Sequence, residues 1–256
     1  MDASRKRSLE YGSGTNSSIR LFAAANLWRT TPGSSASLAS ATWMVPKTWL
    51  GAMPCFSMRQ SNPWSKRRPF ARALEQLGPI GLPREVVNKL KPWGVLLNLR
   101  NPGRAEQGAA LDSQLLELAR ARRLPLAQIE GVEEQIFTFD ECPMESQVAL
   151  LKHSLAHRDE LTELAERTLE AYLERDLGAI WRLREQFAAR HPQIAPHQAV
   201  MTKRVVLDRS VVMAFRMQRQ LRRGEAFVAL GALHLYGEKG VLALLEADGY
   251  RADLVF

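Results

Sequence analysis

The final thirty residues constrain this chain more than any other stretch. Phe227-Val228-Ala229-Leu230 is an apolar run that stops at Gly231. His234 follows three positions later, and Gly237 three after that. An amphipathic run, Val241 to Leu245, leads to a closing Gly249-Tyr250 and an apolar end at Phe256. The pattern predicts strand, functional turn, helix, strand. It sets one imidazole at the carboxyl end of a sheet strand, where open α/β sheets build their sites. Gly231 lets a ligand or metal approach the backbone closely. The competing reading of His234 is a side chain that merely caps the turn.

Upstream, the pattern is mainly helical. Pro83 suits the first turn of a helix ending near Lys91, which Pro92-Trp93-Gly94 is expected to break. Leu111 to Arg123 reads as a helix with basic residues at its end. Leu124–Gly131 reads as a short strand ending in Glu130, and Glu133-Glu134-Gln135 opens another helix. Residues 146–174 and 177–190 carry helical stripes, and 202–223 a further helix closed by Gly224. The fold class expected is α/β: a small mixed sheet with many helices.

With two strands parallel in one sheet, Glu130 and His234 would open on the same edge. A carboxylate and an imidazole there suit metal ligation or acid–base work. The alternative for Glu130 is an exposed carboxylate at a strand end. His153 and His157, four apart on a helix, have Ser154 where a zincin motif needs glutamate, and they read as solvated. His191 and His197 flank prolines in an expected loop and carry no pattern. Arg209 is one of many helix arginines, for which a surface charge is the plain reading. No Walker loop, nucleophile elbow or dinucleotide fingerprint is present.

Charge divides the chain in two. The net +8 lies within residues 1–70, which hold ten basic and two acidic side chains. Residues 34–70 contain no acidic residue and no amphipathic period. Residues 1–75 are therefore expected to form an irregular basic segment, and 76–256 the folded domain. A basic arm of this kind is a weak case for nucleic acid, so no specific nucleic-acid partner is expected. Two cysteines, Cys55 and Cys142, build no disulfide framework. No apolar run reaches the length of a spanning helix, and no signal peptide is read, so a cytoplasmic location is expected.

The stretch Phe227–Gly240 with Gly249-Tyr250 resembles the C-terminal signature of the TraB/PrgY/GumN family, which includes Tiki-type proteases. Lys91-Pro92-Trp93, Leu111-Asp112 with Leu115, and Ile129-Glu130 with Glu133-Glu134-Gln135 resemble further family elements in the same order. Arg209 matches the arginine of an Arg-Asn pair, with Ser210 in place of the asparagine.

The resemblance implies an α/β fold shared with erythromycin esterases and haem-binding ChaN proteins. It also implies metal-dependent hydrolysis of peptide-like substrates. His234 would ligate a divalent metal, Gly231 would admit it, and Glu130 and Arg209 would serve catalysis. The rival function is a binding or regulatory protein that sequesters a small peptide or haem.

The Tiki-type members that the chain resembles use a second G-x-x-H near the start, and here the first histidine of the chain is His153. Leu27-Trp28-Arg29 with Pro32-Gly33 resembles the lead-in to that motif, after which the likeness lapses until about residue 75. Residues 34–75 read as translated from a shifted frame, with degeneration of the site as the alternative. Either way, the site is expected to be impaired as a metal centre.

Overall fold

The computed structural model describes residues 7–11, 18–24, 90–99 and 111–254. Helix dominates them. In chain order they form β1 (Arg7–Tyr11), β2 (Ser18–Ala24), α1 (Pro92–Leu99), α2 (Leu111–Ala121), α3 (Val132–Asp140), α4 (Met144–Ala156) and α5 (Arg158–Leu173). Then come α6 (Leu177–Arg190), α7 (Ala195–Thr202), a π-helical turn (Lys203–Asp208) and α8 (Arg209–Arg223). The chain closes with β3 (Phe227–Gly231), a 3-10 turn (Ala232–His234), α9 (Val241–Ala247) and β4 (Tyr250–Leu254).

The four short strands pair in the order β3-β2-β1-β4. β3 runs parallel to β2, with Val228 opposite Leu21 and Gly231 opposite Ala24. β1 is antiparallel to both β2 and β4. Irregular structure throughout 1–75 therefore does not hold at β1 and β2. Ser8–Tyr11 and Ser18–Leu21 carry the alternation of polar and apolar residues that a pleated strand favours, and β2 ends in an apolar run. The possible frame shift over 34–75, and most of the helix expected from Pro83, lie outside the described residues.

Two apolar clusters hold the helices. The first joins α6, α8, β3 and α9 through Ile180, Met217, Leu221, Val228, Val241 and Leu245. The second joins α1, α3, α4 and the end of α6 through Trp93, Val95, Ile136, Leu151, Leu155 and Phe187. α6 serves both, because Ile180 and Leu183 face one cluster and Phe187 the other. α8 shows how sequence makes this possible. Ser210, Met213, Ala214, Met217 and Leu221 are its buried residues, spaced three, four and seven apart on one face. Gly224, at φ 79°, ends the helix in a conformation that costs glycine nothing.

Two sequence expectations change and one is extended. Pro92-Trp93-Gly94 starts a helix of its own, while nearly all of the helix it was expected to break lies outside the described residues. Proline's fixed φ suits the first turn, and the buried Gln147 side chain accepts the Trp93 backbone N–H at 3.3 Å. Lys91 pairs with Asp140, which also accepts the Trp93 indole N–H at 3.1 Å, so the Lys-Pro-Trp element anchors α1 to the end of α3. Residues 124–131 form an irregular connection and not a strand. Leu124 and Leu126 are more than half exposed, and Pro125 has no N–H to give a ladder. The stripe over 146–174 is two helices, parted at His157, whose ring Nδ1–H donates to the His153 carbonyl at 3.1 Å.

Candidate functional site

The strand–turn–helix–strand at the C-terminus forms as its sequence predicts. It seats His234 in the 3-10 turn after β3, buried with Ala232. Gly231 lies beside the ring, where a Cβ would meet His234 Cδ2 at 3.4 Å, an ordinary contact distance. Gly237 turns the chain at φ 91°, and Gly240 passes so close to Tyr236 that a Cβ would lie 2.6 Å from its carbonyl carbon. Gly237 and Gly240 therefore shape the turn that holds the imidazole.

α8 supplies the other half of the site, and the π-helical turn before it matters. Widened turns of this kind present carbonyls and side chains out of the ordinary helical register. Arg209 begins α8 directly after it. Its Nη1 donates to the Val205 carbonyl at 3.0 Å. Its Nε and Nη2 reach Glu130 Oε1 and Oε2 at 2.7 and 2.5 Å, a two-pronged ion pair. Both side chains are nearly buried. Arg209 is thus no surface charge, and Glu130 no exposed strand end. Glu130 reaches the site from a bend, not from a strand parallel to β3.

Ser210, buried and standing where the family pattern has asparagine, sits against His234. Its Oγ donates to the Val206 carbonyl at 2.7 Å and lies 2.9 Å from His234 Nδ1. Nδ1 is also 3.2 Å from the Val206 carbonyl. With the serine proton committed to Val206, both neighbours of Nδ1 are acceptors, so Nδ1 carries the hydrogen. Nε2 is left with the lone pair. Burial, and next the Arg209 charge, pull the His234 pKa down to about 4, while the Val206 contact and Glu130 oppose the shift. His234 is accordingly a neutral imidazole at physiological pH.

A second arginine extends the arrangement. Arg216, two turns beyond Arg209 on α8, donates to the Ile129 carbonyl at 3.0 Å and to both Glu134 oxygens at 2.6 and 2.7 Å. The Arg216 hydrogen bonds hold the Glu134 carboxyl at about 2, well below its usual range. Glu134 Oε2 also accepts the Gly131 backbone N–H at 2.7 Å, which opens α3. The 129–134 segment is therefore strapped to α8 by two arginines. Arg216 escaped the sequence reading, although it lies two turns from Arg209 on the same helix, as Glu134 lies close after Glu130. Val206 left none, because π-helical turns have no sequence signature.

A divalent metal at His234 is what the resemblance implies, and the donor set does not fit one. Both Glu130 oxygens are taken by Arg209, and the guanidinium beside His234 repels a cation. His234 contributes one nitrogen, whereas a catalytic zinc-type centre needs about three protein ligands. The other four histidines serve elsewhere. His197 lies in α7, 3.0 Å from Ser146 Oγ, and not in a loop. His153, His157 and His191 gather with one another, and His153 is buried and not solvated.

The model of the TraB/PrgY/gumN family matches residues 64–253 of the chain. Comparison with curated proteins and with solved structures gives no match. Among the described residues no helix is long and apolar enough to cross a membrane.

Proposed function

Because this chain belongs to the TraB/PrgY/gumN family, we propose that it binds a peptide or small-molecule ligand at the Glu130–Arg209–His234 site without hydrolysing it. The carrying observation is that Arg209 occupies both oxygens of Glu130. A carboxylate held in this way is unavailable as a metal ligand or as a general base. His234 keeps a neutral Nε2 with a lone pair, suited to accept a hydrogen bond from a ligand N–H or O–H. We read the paired strands and surrounding helices as the family's α/β arrangement, with the ligand site at the carboxyl end of β3. Metal-dependent peptide hydrolysis is the function this reading sets aside for the present sequence.

Titration of short unstructured peptides into the purified protein tests the proposal, with turnover followed in parallel in the presence of Zn2+, Mn2+ or Co2+. Saturable binding is expected, weakened about tenfold in His234→Asn, where Asn replaces the Nδ1 donor and removes Nε2. No cleavage should accompany it. Metal-stimulated cleavage that His234→Asn abolishes would overturn the reading. So would absence of any peptide binding, and a parallel haem titration then decides whether haem is the ligand.

A further inference from the structure

Three of the five histidines meet where three helix ends converge, away from the site above. His153 lies in the last turn of α4, His157 at the break between α4 and α5, and His191 at the carboxyl cap of α6. Ring centroids are 4.0 Å apart for His153 and His157, 4.5 Å for His153 and His191, and 4.9 Å for His157 and His191. One ring nitrogen from each lies within 4.8 Å of the other two. Phe187 closes the apolar side, with its ring 4.7 Å from His191 and 5.6 Å from His153.

Hydrogen bonds settle how two of the rings are turned. His157 Nδ1–H donates to the His153 carbonyl, which leaves Nε2 with its lone pair. His191 Nε2 lies 2.8 Å from Glu160 Oε2 and donates to it, which leaves Nδ1 with its lone pair. Glu160, in the first turn of α5, is also paired with Arg190 at 3.1 Å. A carbonyl or carboxylate on the distal nitrogen is the arrangement that orients a metal-binding imidazole and raises its basicity. Two of the three helix ends favour a cation, because α4 and α6 direct their negative carboxyl ends at the cluster, while the amino end of α5, capped by His157, opposes them.

From this geometry we infer that His153, His157 and His191 form a binding site for one divalent transition-metal ion, with Glu160 positioning His191. Three imidazoles select borderline ions such as Zn2+, Co2+ and Ni2+ over Mg2+ and Ca2+, which prefer oxygen. A tetrahedral ion at about 2.0–2.1 Å from each nitrogen sets them about 3.3 Å apart. The nitrogens must draw in by up to about 1.5 Å from the present spacing, and the His153 and His157 rings, stacked at 22°, must turn so that both lone pairs meet at the ion. The fourth position is left to water. Such an ion pins α4, α5 and α6 together at one point, a bond from the second apolar cluster that the His234 site does not share.

The test uses tag-free full-length protein stripped with chelator. Zn2+ is titrated calorimetrically and Co2+ by visible absorption. One ion per chain is expected, with tetrahedral Co2+ bands, and saturating Zn2+ should raise the thermal midpoint by about 5 °C or more. Glu160→Gln, a partly exposed change that leaves the ligands in place, should weaken binding about 10–100-fold. His191→Ala should weaken it further, with helical circular dichroism retained. His234→Asn should bind the ion as the wild type does, which separates this site from the proposed ligand site. Failure to bind either ion would overturn the inference. So would binding that His191→Ala and Glu160→Gln leave unchanged, or that His234→Asn removes.

Discussion

The His234 imidazole should make the fold measurably sensitive to acid. Its pKa is about 4 in the folded chain against an ordinary 6.5. Below pH 6.5 the unfolded chain therefore takes up a proton on this group that the folded chain refuses. Stability from the neutral ring is fully present above pH 6.5 and is lost as pH falls toward 4. For these two values the loss relative to pH 7 is about 2 kcal/mol at pH 5 and about 3 kcal/mol at pH 4. Carboxylates lose stability in the same range, so the wild-type curve alone does not isolate the histidine. His234→Asn does, since asparagine can still donate to Ser210 and Val206 and cannot titrate. Urea unfolding at pH 7, 5 and 4 gives the stability of both proteins. The advantage of wild type over the variant should shrink by about 2 kcal/mol from pH 7 to pH 5, and by about 3 kcal/mol by pH 4. Parallel curves for the two proteins across that range would refute the burial and charge assigned to His234.

The Glu130–Arg209 pair and the tight glycine yield two further outcomes. Glu130→Ala leaves a buried guanidinium without its partner and should cost about 3–5 kcal/mol by urea unfolding, whereas Glu130→Leu with Arg209→Met should cost clearly less. Removing the Glu130 charge also unshields Arg209, so the His234 pKa, followed by imidazole NMR, should fall further. Gly240→Ala presses a Cβ onto the Tyr236 and Leu235 backbone at 2.6 and 2.7 Å and should cost at least about 2 kcal/mol. Gly94→Ala meets only Leu90 side-chain atoms, the nearest at 3.5 Å, and should be neutral or stabilising by up to about 1 kcal/mol.

Local signals in the sequence were reliable where the physics they report is local. Gly237 and Gly249 mark turns of the C-terminal unit through their positive φ, and Gly240 through the backbone space it leaves beside Tyr236. Gly224 ends α8, and the buried stripe of that helix follows its own period. Glu130 shows where local signals stop. An apolar run ending in Glu-Gly reads as a strand, yet it found no neighbour to pair with and was instead gathered in by an arginine from α8. Pro92-Trp93-Gly94 likewise depended on Gln147, a residue from another helix, to satisfy the N–H that opens α1.

The histidines carry this reasoning to its end. Periodicity along α4 shows that His153 and His157 share a face, and on that basis alone a solvated pair was the natural reading. What changes their chemistry is the end of α6, which the second apolar cluster draws against them through Phe187. Burial of Phe187 is hydrophobic and legible, while the arrival of His191 beside it is a geometric by-product that no spacing rule contains. Once there, His191 takes its orientation from Glu160, and His157 takes its own from the backbone of His153. The same sequence thus sets one histidine alone beside a guanidinium, and three within reach of one another, where two negative helix ends and Glu160 outweigh one positive helix end and Arg190. The residue type is identical, and the number of imidazoles gathered, together with the charges around them, separates the two places.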